Sequence, residues 1–298
     1  MSIAMAVALE STPRGMHSED CSLVLPECGV FAVFDGLGGV TDGHIAAEIA
    51  RDCIAASASH LPAVLGQETM CEIISTMLHE ATKAVYAHAV EHGNDAATTA
   101  SVCVLSQTAE GGVIAGIGNV GDSRVYTIDS RGVLEQVTLD DGPIRCYAGL
   151  SEPEMRKLQK RLNNAVNAEA LTRNEQRWFA ERHMMSQVLG DKEITPRISM
   201  LTVQDGWTII LTTDGIHDNL TDDEMGEILC GTPHPNVAAR ILITRAEERS
   251  REFGFRAHRD DMTVIVIGFG NRTNAELTSV ISEGVSASRD SGRLKKVE

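Results

Sequence analysis

The stretch FAVFDGLGG, residues 31–39, decides how this chain is read. Phe31, Ala32, Val33 and Phe34 end an apolar run of strand length, which passes straight into a carboxylate, Asp35, and then into Gly36, Gly38 and Gly39. An unpaired carboxylate is costly to bury. Asp35 at the mouth of a buried strand therefore needs something to face, and the glycines beside it leave the backbone bare.

Four further places repeat the setting. GNVGDSRVY puts Asp122 in a tight turn between two strands, and WTIILTTDGIHDNL puts Asp214 at the end of an apolar strand, again before a glycine. HRDDMTVIVI sets Asp260 and Asp261 before another such strand, and MHSEDCSLVL sets Glu19 and Asp20 before the second. Any one of these is an ordinary turn acid, since Asp and Gly dominate turns. Five together matter if the strand ends converge. Two carboxylates about 4 Å apart repel by about 4 kcal/mol at an effective dielectric near 20, so such a cluster calls for a cation. Oxygen donors without His or Cys neighbours suit Mg²⁺ or Mn²⁺. Two such ions about 3.5–4 Å apart would clamp a phosphoryl group.

Around these motifs, β-rich runs appear at 3–10, 21–25, 30–35, 99–105, 112–119, 123–128, 133–138, 197–203, 207–213 and 262–269. Short Gly, Asp and Ser turns join many of them, which predicts antiparallel meanders. Helical periodicity marks 43–59, 67–92, 222–230 behind the Thr221-x-x-Glu224 capping box, and 237–250 behind a cap at Asn236. Segment 151–185 opens with Ser151-x-x-Glu154, spaces Met155, Leu158, Leu162 and Val166 helically, and restarts at Thr172-x-x-Glu175. It reads as a helical insertion or flap between two strands. Residues 1–270 form the expected domain, and 271–298 read as a polar, flexible tail. Strands grouped apart from helices predict an α+β layered domain with sheet on sheet.

The 298 residues carry 26 Lys and Arg against 42 Asp and Glu, a net charge of −16. That balance argues against a nucleic-acid surface. The seven cysteines never form CxxC and mostly sit in apolar runs, so they read as thiols in a reducing cytoplasm. The N-terminal apolar run has no basic flank and is too short to span a bilayer, so no membrane association is expected.

Rival motifs fail on spacing. Gly36-x-Gly38 begins a dinucleotide fingerprint, but Thr41 occupies the third glycine position and no βαβ unit follows. TTAS at 98–101 precedes no nucleophile elbow, and no HExxH or comparable pair builds a zinc site. His88 and His92 read as a solvated helix face. His44 and His217 follow acids and are candidates for groups behind the ligands.

In this order over about residues 3–269, VFDGLGG, TTAS, GNVGDSRVY, LTTDGIHDNL and RDDMTVIVI resemble the PPM family, the metal-dependent type 2C serine/threonine protein phosphatases, in their bacterial form. The resemblance implies an αββα sandwich of two antiparallel β-sheets flanked by helices. It also implies a binuclear Mn²⁺ or Mg²⁺ centre at one end, with Asp35, Asp214 and Asp260 at its heart. Asp35 would bridge both ions, the Gly36 carbonyl would bind one, and Asp214 and Asp260 would complete the first. Glu19 and Asp20 would hold metal-bound waters, and Asp122 would share a third, weaker ion with Asp214. The implied reaction is in-line attack of a metal-bridging water or hydroxide on a phosphoserine or phosphothreonine ester of a protein substrate, without a covalent phosphoenzyme.

Three departures accompany the resemblance. Gly15 stands where a phosphate-binding arginine is usual, with Arg14 one residue away. Leu37 stands where many eukaryotic members carry a histidine, and Asp261 replaces a usual asparagine. Segment 151–185 is long for a flap and is the expected seat of substrate choice or of a regulatory partner. Two other functions stay open at this point: a catalytically silent binding module, motivated by the displaced arginine, and a phosphatase for a small phosphoester.

Overall fold

A strand covered on both faces shows an unbroken apolar run instead of alternation, and that is the state of Val30–Phe34. Phe31 and Val33 face the interior between two sheets, while Val30, Ala32 and Phe34 face a helical layer, all five fully buried. The computed structural model describes residues 5–270 apart from 16, 39–41, 63, 109–110, 148 and 233. The expected tail 271–298 and Gly39 lie outside the described residues.

In chain order the elements begin with β1 (Met5–Thr12), β2 (Asp20–Leu25), β3 (Val30–Leu37), α1 (Gly43–Ala58) and α2 (Gln67–His92). Next come β4 (Ala97–Thr98), β5 (Ala100–Gln107), β6 (Val113–Val120), β7 (Arg124–Ile128) and β8 (Leu134–Gln136). Helices α3 (Pro143–Tyr147), α4 (Glu152–Asn163) and α5 (Arg173–Ala180) then precede β9 (Arg197–Val203) and β10 (Thr208–Thr212). The chain closes with α6 (Asp214–His217), α7 (Asp222–Gly231), α8 (Pro235–Ser250) and β11 (Met262–Phe269). One sheet runs β1-β11-β10-β7-β8 and the other β2-β3-β5-β6-β9, with β4 paired to β3. The pairings are antiparallel throughout, as the short turns predict.

Three apolar layers hold this αββα sandwich. Phe31, Val33, Ile117, Ile209, Leu211, Ile265 and Ile267 interdigitate between the sheets. Ile54, Met70, Ile74 and Leu78 of α1 and α2 cover one outer face, and Ile216, Met225, Ala239 and Leu242 of α6, α7 and α8 cover the other. Each such side chain contributes about 1.5–3 kcal/mol on burial. Gly116 and Gly118 let α2 approach β6 closely, since a Cβ at either would strike Ile74. The segment between β8 and β9 is helical as expected and carries its own small core of Leu162, Ala165, Leu171 and Phe179, with Phe179 stacked on Phe255 at 4.2 Å.

All three predicted capping boxes form, at Ser151, Thr172 and Thr221. Two local expectations are corrected. Helix α8 starts at Pro235 with His234 as its cap, not behind Asn236, because proline's fixed φ and missing N–H suit a first helical position. Val166 is 64% exposed, because α4 ends at Asn163 and the helical spacing stops with it. Among the described residues no helix is long and apolar enough to cross a membrane, and all seven cysteines are free thiols.

Candidate metal centre

The antiparallel register of β2 and β3 places Asp20 directly opposite Asp35, a pairing of like charges that destabilises a sheet unless something offsets it. Both belong to the second sheet. Asp214 follows β10 and Asp260 precedes β11, both in the first, while Asp122 sits in the β6–β7 turn that crosses between the sheets. All five strand ends therefore open on one end of the sandwich, and Glu19 joins them at the rim.

Neighbouring hydroxyls fix the Asp35 backbone and the Asp20 carboxylate. The Asp35 N–H donates to Thr99 Oγ1 at 3.0 Å, and Thr98 Oγ1 donates to the Asp35 carbonyl at 2.9 Å. Thr99 Oγ1 pairs with Ser123 Oγ at 2.7 Å, beside Asp122. Thr213 Oγ1 donates to Asp20 Oδ2 at 2.7 Å and accepts from the Thr263 N–H at 3.0 Å, tying the two sheets together at the site. A Cβ at Gly36 would collide with the Gly43 carbonyl at the start of α1, and one at Gly215 with the Asp261 carbonyl. These glycines are present because backbones meet there. The close approach beside Asp35 lies at Gly36 and Gly43, while Gly38 takes a positive φ of +115° that favours glycine.

Electrostatics at the site is dominated by burial, with the crowding of like charges adding to it. Burial, then the neighbouring carboxylates Asp214, Asp20, Asp122 and Asp260, hold the Asp35 carboxyl well above its ordinary range. Burial raises Asp20 and Asp122 in the same way, against the pull of Thr213 on Asp20. Asp214 is pushed up to about 7, first by burial and then by Asp218 and Asp260. Glu19 is raised by burial, opposed by Arg14. Asp260 is the exception: burial would raise it, but hydrogen bonds from His258 and the Asp261 N–H outweigh that and hold it low. Asp20 Oδ1 and Asp214 Oδ1 are buried with no hydrogen-bond partner. Orphaned oxygens on mutually repelling carboxylates fit a hard divalent cation such as Mg²⁺ or Mn²⁺.

Arg14 reaches the rim despite its shifted place in the sequence. Its Nη1 is 3.5 Å from Asp260 and its Nη2 3.8 Å from Glu19. Asp261 explains how: its carboxylate accepts the backbone N–H of Arg14 and, at 2.6 Å, that of Glu19. The extra acid thus anchors the loop that carries Arg14. His217 is buried, with Nδ1 against Thr212 Oγ1 at 2.8 Å, and burial drives its pKa well below the usual value, so it stands behind the site as a neutral group. His88 and His92 stack on each other with ring centroids 4.1 Å apart, far along α2.

Sequence reasoning missed several contributors. Asp218 raises Asp122 and Asp214 and is itself paired with Arg182 of the helical segment at 2.6 Å. Asp141, fully buried, accepts the Gly121 N–H at 3.1 Å, Gln187 Nε2 at 2.6 Å and an Arg145 guanidinium, so it pins the turn before Asp122 to both ends of that segment. His258 lies between Asp214 and Asp260. The one signal for His258 was its place two residues before Asp260; nothing local marks the other two.

The chain is 26% identical over 301 residues to protein phosphatase 1K, mitochondrial, of Xenopus laevis, covering 93% of this chain and 73% of that one. It is 24% identical over 241 residues to the serine/threonine phosphatase stp of Listeria monocytogenes, covering 80% and 83%. Its fold matches the catalytic domain of the serine/threonine protein phosphatase PstP, solved with two manganese ions, at a TM-score of 0.67 and 21% identity over 90% and 99% of the chains. The family model for protein phosphatase 2C matches residues 12–251. With its carboxylates gathered at one end of an αββα sandwich, the chain belongs to the protein phosphatase 2C family.

Proposed function

We propose that this carboxylate cluster holds divalent cations and that the protein, a metal-dependent phosphoprotein phosphatase by family, uses it to hydrolyse phosphoserine and phosphothreonine esters. The observation that carries the assignment is the convergence of Asp20, Asp35, Asp122, Asp214 and Asp260 from both sheets on one opening, with two buried oxygens orphaned. Asp35 and the Gly36 carbonyl, Asp214 and Asp260 would hold a pair of ions. Glu19 and Asp20 would act through water, and Asp122 with Asp214 would serve a weaker third ion.

When bound, Mn²⁺ or Mg²⁺ supplies charge neutralisation and an acidified water. The chain's own part is placement. Thr98 and Thr99 fix the Asp35 backbone, Thr213 holds the Asp20 carboxylate, and Arg14 presents a guanidinium at the mouth, where a phosphoryl oxygen would meet it. Positioned charge of this kind is the usual main source of phosphoryl-transfer catalysis. The position of Arg14 at the rim also removes the ground for a silent module, because the displaced arginine still reaches the site. The phosphatase domain would span residues 1–270. Segment 151–185 would govern substrate choice or a regulatory partner, since Arg182 just past α5 meets Asp218 beside the cluster. Seven free thiols fit a reducing cytoplasm.

Mn²⁺-dependent phosphate release from an aryl phosphate and from phosphopeptides tests the reading. Chelator should abolish it, and Asp35→Asn or Asp214→Asn should lower it by at least about 10³-fold. Metal-replete protein that turns over neither substrate would contradict it.

A further inference from the structure

We propose that His258 is a ligand of the cation held by Asp214 and Asp260, giving this centre a nitrogen donor and tilting it from Mg²⁺ toward transition ions. The proposal rests on the functional reading above and goes beyond it in naming a donor and a metal preference. His258 Nε2 lies 3.1 Å from Asp260 Oδ2 and 3.7 Å from Asp214 Oδ2. One donor atom from each of the three residues falls within 4.8 Å of the others. Neighbouring ligands of an octahedral ion with bonds of about 2.0–2.1 Å stand about 3 Å apart, and opposite ones about 4 Å. The three donors therefore need only about an ångström of adjustment to share one ion.

The backbone that carries the imidazole is also held. Asn219, fully buried, accepts the His258 backbone N–H on Oδ1 at 3.0 Å and donates from Nδ2 to the His258 carbonyl at 2.7 Å. The same Nδ2 donates to the Gly215 carbonyl at 2.8 Å, in the helical turn that Asp214 begins. One amide thus fixes the loop bearing the nitrogen against the helical turn bearing the oxygen. Independently, Asp214 is only 8% exposed and leaves Oδ1 with no partner. Mg²⁺ favours oxygen ligands, whereas imidazole favours first-row transition ions. Mn²⁺ stands lowest in that series, which makes it the strictest test.

The experiment is pulsed electron paramagnetic resonance on the full chain, titrated with Mn²⁺ from substoichiometric to saturating, with metal content measured in parallel. Wild-type protein should show ¹⁴N modulation on bound Mn²⁺, and His258→Gln should lose it. The variant should bind Mn²⁺ about tenfold more weakly while its Mg²⁺ affinity changes by no more than about twofold. Bound Mn²⁺ with no nitrogen modulation in wild type overturns the ligand assignment and leaves the phosphatase reading standing; modulation that persists in His258→Gln overturns it likewise. No bound Mn²⁺ at all overturns both. The wild-type spectrum decides the matter even if the variant fails to fold.

Discussion

Strand β3 has two halves that teach opposite lessons about burial. Phe31 and Val33 are fully enclosed between the sheets and gain from leaving water. Four residues beyond Phe31, Asp35 is half-buried at the end of the same strand and opposite Asp20, and its charged form is disfavoured by lost hydration and by the neighbouring carboxylates. The apolar half is stable as it stands, while on the proposed reading the acidic half would be stabilised by a cation that supplies the missing charge. Fold and function thus lie on one strand, with the interior holding the frame that forces the acids together.

Substitutions separate the halves most sharply where their effects diverge. Asp35→Asn should cost at least about 10³-fold in phosphatase rate, about 4 kcal/mol in barrier height, yet raise the melting temperature of the metal-free protein, because it removes a charge that its neighbours repel. Phe31→Ala should do the reverse, lowering stability by about 3–5 kcal/mol through lost burial and a cavity. Calorimetric unfolding beside steady-state rates checks both, and a metal-free Asp35→Asn protein that melts lower than wild type would break the contrast.

The pH dependence probes the acidic half alone. Asp214 has its folded pKa raised to about 7 from an ordinary 3.8, so the folded state binds the extra proton between those values. Metal-free protein should therefore lose stability as pH rises from about 4 to about 7, by an amount on the order of 2–4 kcal/mol, and saturating Mn²⁺ should flatten the slope. Melting curves at pH 5 and pH 8 with and without Mn²⁺ measure it.

The turn carrying Asp122, which joins β6 to β7, is pinned by Asp141. Asp141→Asn should cost about 1–3 kcal/mol, because the Arg145 guanidinium, the Gln187 amide and the Gly121 N–H lose their charged, buried acceptor, and should weaken the most loosely bound ion in a Mn²⁺ titration more than the tight pair. At the small end, Val166→Ser on the exposed surface should shift stability by no more than about 0.5 kcal/mol.

The two halves also differed in how much of them could be read in advance. All ten strand runs became strands, the buried ones marked by a continuous apolar run as in β3 and β5 and the rest by the short turns that bound them. The acids were readable because each sits at a strand mouth. What held them was not, since Thr99 lies 64 positions from Asp35 and Asn219 lies 39 from His258, and no local pattern encodes such partners. Arg14 followed the same rule: its reach depends on Asp261, 247 residues away, accepting its backbone N–H. The two-residue β4 and the four-residue α6 were too short for periodicity to register.

The central claim is that divalent cations stabilise an acidic end that the fold itself makes unfavourable. Isothermal titration of chelator-treated protein with Mn²⁺ at pH 8, paired with thermal unfolding of the same samples, tests it most directly. Two or more Mn²⁺ per chain, with a melting temperature that rises as the ions bind, is the predicted result. Protein that takes up no Mn²⁺, and melts at the same temperature with or without it, would contradict the account.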